Sequence, residues 1–295
     1  MRFLFVDRIL RLVSGEFIQG IKHITRDDAY LCRDASNQLH FMPSLIGETL
    51  GQLAAWNVMS CNDFSYRPVA GLVSSARLYR PVYVGETLLL ESFIDSLDEA
   101  AVQYHSFAYV GDEVVFSIDG ALGPLLPMND FIDGSLVRRQ FNEINRPGDY
   151  YSVNSTSEES IVDHCSAITP PMLFDKIITC EPGLSLCAEK RVTRAAAYFA
   201  DHFPNKPVLP MTVLLECKLN LAREFVARAS FSQPYRIHEM RKIKMNVFVH
   251  PGDILITHVK VKSHDDNELV LSFRSEVDGK RVCVLDIVMK PEGNP

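Results

Sequence analysis

The chain aligns with itself. At a constant offset of 168 (175 − 7 for the aspartates), residues from Asp7 to Glu48 match residues from Asp175 to Glu216 without a gap. VDRI around Asp7 answers FDKI around Asp175, Gly15 answers Gly183, and ITR at Ile24 to Arg26 answers VTR at Val192 to Arg194. Lys22/Lys190, Tyr30/Tyr198 and Leu53-Ala54/Leu221-Ala222 continue the run. Identities that include glycine and charged residues do not come from shared hydrophobic periodicity, so the chain reads as two copies of one supersecondary unit. Further on, VGE at Val84 to Glu86 faces PGD at Pro251 to Asp253, a register shift of one that a single deletion in a turn explains. One mismatch matters for chemistry: Asp34 stands where the second copy has His202. One functional site is expected, not two.

At 295 residues the chain can hold two ordinary cores or one fused double unit. Its 47% hydrophobic and 23% charged content is that of a folded globular protein. A net charge of −7 without a dominant basic stretch argues against general nucleic-acid affinity. The opening MRFLFVDRIL is interrupted at Asp7 and Arg8, too early for a signal-peptide core, and no stretch approaches the roughly 18 apolar residues of a membrane span. Seven cysteines at scattered spacings suit reduced thiols, so a cytoplasmic protein is expected, and the NST at Asn154 carries no glycosylation meaning.

Each half opens with a strand-like run, GEFIQGIKHIT or GLSLCAEKRVT, and proceeds through a loop to an apolar helix. The helices are expected from Ser44 to about Cys61 and from Thr212 to about Ala229, with Ser44 and Thr212 as N-caps. Both are apolar around most of their circumference, which implies helices enclosed by protein. Three alternating runs follow each: LLLESFIDSL, AVQYHSFAYV and EVVFSIDGAL, then ILITHVKVK, ELVLSFRSEV and KRVCVLDIVM. Turns at Gly111, His264 and Val277 make them antiparallel meanders, an α+β class. The stretch from about Pro124 to Ser166 has no counterpart and serves as the connection. The expected division is 1–125, a linker 126–166, and 167–295.

DHFPNKPVLPMTVLLE at Asp201 to Glu216 resembles the active-site signature of the FabZ/FabA-type 3-hydroxyacyl-acyl-carrier-protein dehydratases, HFP, a short loop, PVxPG, and an acid fourteen residues after the histidine. ETLGQLAAW at Glu48 to Trp56 is similar to the helix of that family, and RPVYVGETLLLE and HPGDILITHV are similar to its strand motif. The resemblance covers both halves and implies a double hotdog, two long central helices each wrapped by an antiparallel sheet, the sheets joined side by side.

In that family the histidine of one hotdog works with the acid on the helix of the other, which pairs His202 with Glu48 and leaves Glu216 facing Asp34 in a silent pocket. His202 is then the base for the C2 proton. Glu48, its pKa raised by an apolar helix, is the acid for the C3 hydroxyl. The backbone N–H of Met211 or Thr212 at the helix start meets charge on the thioester oxygen. Gln52, Phe203 and Pro207 are the supporting residues. Met211 departs from the family glycine, Pro43 stands opposite it, and His40, aligned with Val208, is a lesser catalytic candidate. Glu216 is expected to be structural, bonded to Asn220 or to the His202 loop. The other histidines and the cysteines show no metal-ligand spacing, so neither a metal nor a cofactor is expected, the substrate arriving on the phosphopantetheine of an acyl carrier protein. Arg236, Arg241, Lys242 and Lys244 form a basic cluster that could dock that acidic carrier; a solvated strand face explains them equally. The implied activity is dehydration of a (3R)-3-hydroxyacyl thioester in fatty-acid or polyketide-type synthesis. A hotdog thioesterase and a non-catalytic partner subunit are the alternatives, and larger assemblies of double hotdogs fit either.

Overall fold

The computed structural model describes residues 3–34, 36–150, 172–229, 231 and 233–292. The first half contains β1 (Arg8–Val13), β2 (Phe17–His23), the small hairpin β3 (Leu31–Arg33) and β4 (Leu39–Phe41), and helix α1 (Pro43–Cys61). It continues through β5 (Tyr66–Pro68), β6 (Leu72–Leu78), β7 (Thr87–Leu97), β8 (Ala101–Val110) and β9 (Glu113–Pro127). A helix α2 (Gly134–Ile144) follows. The second half contains β10 (Lys176–Glu181), β11 (Ser185–Arg191), helix α3 (Met211–Arg228), β12 (Tyr235–Met245), β13 (Ile254–His264), β14 (Leu269–Val277) and β15 (Lys280–Pro291).

Apart from the separate β3–β4 hairpin, the strands form one antiparallel sheet in the order β1-β2-β7-β8-β9-β6-β12-β15-β14-β13-β11-β10, with β5 paired to β9. Read inward from either end, the order is the same in both copies, so the repeat is a pseudo-twofold built around the β6–β12 seam. Local detail repeats with it. The β1–β2 pair is irregular between Ile9 and Arg11, and the β10–β11 pair between Ile177 and Thr179. Gly85 and Gly252 both sit at φ +99°, a conformation that costs a side-chain-bearing residue dearly, and an acid closes each turn, Glu86 on the Tyr83 N–H and Asp253 on the His250 N–H.

Both central helices are enclosed as their composition demands. Leu45, Ile46, Leu50 and Leu53 of α1 and Leu214, Leu219 and Ala222 of α3 are buried against the inner faces of the sheet. Strand alternation supplies the other wall: Leu88 and Leu90 in β7, Leu255 and Val259 in β13. The arrangement is a double hotdog.

Three details differ from the sequence reading. The helices begin one residue earlier, at Pro43 and Met211, with Met42 and Pro210 as caps, so Ser44 and Thr212 lie inside the first turn and make no cap bond. Proline suits the first helical position, where its missing N–H has no partner to lose. The seam strands β6 and β12 were not among the six expected runs. The segment taken as a linker carries α2, whose start is capped by Asp133 on the Ser135 N–H at 2.7 Å and whose Val137 and Phe141 are buried beside Trp56 and Phe64. Asn154 and His164 lie outside the described residues.

Candidate active site

His202 comes from the loop between β11 and α3, a loop closed on itself. The Val208 N–H donates to the His202 carbonyl at 3.2 Å, and the His202 ring returns an Nδ1 contact to the Val208 carbonyl at 3.0 Å. A carbonyl can only accept, so Nδ1 carries the proton and Nε2 is left with a lone pair. Burial, helped by the charge of Arg67, pushes the imidazole down to about 3, so the ring is neutral at neutral pH. Phe203 stacks on the ring at a centroid distance of 3.9 Å. Pro207 serves as scaffold: its carbonyl accepts from His250 Nδ1 at 3.0 Å and ties the loop to the β12–β13 connection.

Glu48 comes from the other half, one turn into α1. Its Oε2 accepts from the Thr212 hydroxyl at 2.7 Å and its Oε1 from Gln52 Nε2 at 2.9 Å. Burial raises its pKa in spite of those hydrogen bonds and Arg67. Gln52 is itself held, donating to the Phe3 carbonyl at 3.1 Å and accepting from the Phe5 N–H at 2.9 Å. His202, Phe203, Glu48, Gln52, Met211 and Thr212 all line one cavity. Because α3 starts at Met211, the N–H groups of Met211 and Thr212 have no intrahelical acceptor and point out of the helix end. The arrangement therefore sets a neutral base, a desolvated acid and an N–H pair around a single space.

The matching positions of the other copy do not make such a space. Asp34 is an Asx-type turn residue: its carboxylate accepts from the Ser36 and Gln38 N–H groups and, at 3.0 Å, from the Tyr83 hydroxyl. These bonds hold its pKa below the usual carboxylate value. Glu216 corrects an expectation, since it bonds neither Asn220 nor the His202 loop. Its Oε2 accepts from the Ser44 N–H at 3.1 Å, and Arg223 approaches its other oxygen at 3.8 Å. Ser44 is the counterpart of Thr212, so the carboxylate plugs the helix end that would serve as an anion donor on this side. Asn220 donates instead to the Met172 carbonyl. The helix residues differ too: Gly47 and Gly51 line the cavity along α1, whereas their counterparts Leu215 and Leu219 are large and buried. His40 is buried with its ring against Cys32 Sγ at 3.4 Å, and it does not line the cavity.

Arg67 was missed. It lines the cavity from β5, its guanidinium 3.7 Å from the Phe203 ring centroid, and burial pushes its pKa down to about 10 while Glu48 works to raise it. Only the β5 fold-back brings it to the site, and no motif marks it. The basic cluster is less uniform than its spacing suggests. Arg241 is paired with Glu239 at 2.6 Å, and Lys242 and Lys244 are exposed.

Comparison with known proteins accords with this geometry. Residues 180–285 match the model of the ApeI-like family, described as ApeI dehydratase. A 3-hydroxyacyl-[acyl-carrier-protein] dehydratase FabZ of Pseudoalteromonas translucida is 30% identical over 140 residues, 46% of this chain and 93% of the relative. The chain belongs to the FabZ dehydratase family. Among solved structures, the dehydratase domain of the polyketide protein PpsC from Mycobacterium tuberculosis superposes with TM-score 0.56 at 10% identity, covering 98% of each chain. An acyl-ACP thioesterase from Bacteroides thetaiotaomicron superposes with TM-score 0.54 at 13% identity, covering 94% of this chain and all of that one. At such identities the two structures speak for the fold alone. Among the described residues, no helix of this FabZ-family chain is long and apolar enough to cross a membrane.

Proposed function

We propose that this FabZ-family protein removes water from a (3R)-3-hydroxyacyl thioester carried on acyl carrier protein, giving the trans-2-enoyl thioester. The observation that carries the assignment is the His202–Val208 contact, which commits Nδ1–H and leaves Nε2 with a free lone pair on a residue lining the cavity that also holds Glu48. His202 Nε2 takes the C2 proton. The electron pair of that C–H bond becomes the C2–C3 double bond, the C3–O bond breaks, and Glu48 protonates the departing hydroxyl so that it leaves as water. Charge gathering on the thioester oxygen faces the N–H groups of Met211 and Thr212 at the positive end of α3.

A thioesterase would need water directed at the thioester carbonyl, and nothing in the cavity favours that over elimination. His202→Ala and Glu48→Gln are each expected to lower turnover of a 3-hydroxyacyl carrier thioester by roughly 10²–10⁴-fold. Enoyl formation followed spectroscopically, with free acid assayed beside it, tests this; full activity in either variant, or release of acid in place of enoyl product, would reject the assignment. Lys242, Lys244 and Arg236 remain the carrier-docking surface of this reading, with Arg241 held back by Glu239. Charge reversal at Lys242 and Lys244 should raise KM for the carrier-bound substrate while sparing the pantetheine thioester.

A further inference from the structure

The acyl cavity is walled largely by apolar side chains, among them Met59, Val69, Phe116, Met240 and Met245, yet besides Ser44, Gln140 and Asp201 two polar groups face it that the His202–Glu48 chemistry does not use. One is Arg67. Its Nε is shielded from solvent and finds no hydrogen-bond acceptor among the described residues. The other is Tyr104 on β8, which makes no hydrogen bond among them and whose hydroxyl lies 3.6 Å from where a Cβ on Gly51 would be. Burial raises the Tyr104 pKa, and the charge it feels is that of Glu48, the same acid that Arg67 feels. Both groups line the same cavity as the acid.

Leaving the Arg67 Nε unmatched in an apolar space costs free energy that a leucine or methionine, used elsewhere in the same wall, would not. Their reach along the substrate follows from the helix. Glu48 must address the C3 hydroxyl, and Gly51 lies three residues on, a rise of about 4.5 Å. A group over Gly51 therefore meets the acyl chain a few carbons beyond C3. Arg67 lines the same cavity from β5, which pairs with β9, and lies over the Phe203 ring.

We propose that the preferred substrates carry an oxygen acceptor, a ketone or hydroxyl, on the acyl chain at about C5 to C7, received by Arg67 and Tyr104. This rests on the dehydratase reading and narrows its substrate class from plain alkyl chains to oxygenated, polyketide-like ones. A site built to bond a substrate oxygen discriminates against the analogue lacking it far more strongly than an apolar pocket discriminates by size.

The test uses the full chain and 3-hydroxyacyl-pantetheine thioesters of equal length, with either a ketone or a methylene at C6 or C7. The wild-type protein should favour the ketone by about tenfold or more in kcat/KM, and Arg67→Met and Tyr104→Phe should each bring that ratio towards one. Tyr104→Phe keeps the ring, so it serves as the folding-neutral variant should the arginine replacement prove unstable. A ratio within twofold in the wild type, or an equal loss on both substrates in Tyr104→Phe, would overturn the proposal. Dissociation constants for the same pair, measured by calorimetry, separate the two readings: absent turnover with a preserved ketone preference removes the dehydratase assignment alone, and equal affinities remove the acyl-oxygen proposal.

Discussion

At the scale of single residues, the site is a pair of groups held away from their ordinary protonation states by burial. His202 is pushed down to about 3, so the unfolded chain takes up a proton near pH 6.5 that the folded chain refuses. The folded state therefore loses stability as pH falls from about 6.5 towards 3, and the loss is complete below that. His202→Phe should flatten this acid limb in urea titrations at a series of pH values; an unchanged slope would mean another group carries it. Glu48 is shifted the other way, and on the proposed chemistry it must hold its proton to act. The alkaline limb of kcat/KM should thus lie above the usual carboxylate range and disappear from the residual activity of Glu48→Gln.

At the scale of elements, α1 and α3 are one helix used for two purposes. Each presents a glutamate to the N-terminus of the other. From α1 the carboxyl takes the Thr212 hydroxyl and stays in the cavity, whereas from α3 it takes the Ser44 N–H and fills the helix end. Glu216→Leu should strip that buried N–H of its acceptor at a cost of about 1–3 kcal/mol, read as a lower denaturation midpoint, with dehydration retained. Loss of dehydration in a folded variant would instead give Glu216 a chemical role. The glycines of α1 matter for the same reason of space. A Cβ at Gly47 would already touch the Phe116 ring at 3.5 Å, so the glycines seat Phe116 and Tyr104 back against the helix. Gly51→Leu should drive Tyr104 into the cavity and weaken binding of long acyl thioesters more than short ones, as a chain-length series of Kd values would show.

At the scale of the whole molecule, two six-stranded halves meet at the β6–β12 seam, where Arg77 pairs with Glu239 in register. Glu239 is buried, and although burial alone would raise its pKa, hydrogen bonds from Ser75 and Arg241 and the charge of Arg77 hold it low. Because the two arginines are half-exposed, water screens part of this clamp. Glu239→Ala is expected to lower stability by about 1–3 kcal/mol and to cut activity with it, since His202 and Glu48 come from opposite halves. A variant with native melting behaviour would show that the strand ladder alone holds the seam.

The repeat, the helix positions to within a residue and the six meander strands were legible in the chain, because each rests on spacing or local pattern; the pairing of His202 with Glu48 came from the family resemblance alone. Glycine at a turn, proline at a helix start and alternation in a strand act over a few residues and leave their mark in order. What escaped was non-local. The seam strands carry a mixed polar pattern because Glu239 and its arginines sit inside it, α2 hides in a stretch without a counterpart, and Arg67 reaches the site only by the fold-back of β5. The sequence by itself determined that two copies of one unit exist and that only the second has a histidine at the position shared by Asp34 and His202. The tertiary structure alone decided that one helix end stays open and the other is plugged by Glu216, because that difference lies in which atoms meet across the interface and in no property of either helix taken alone.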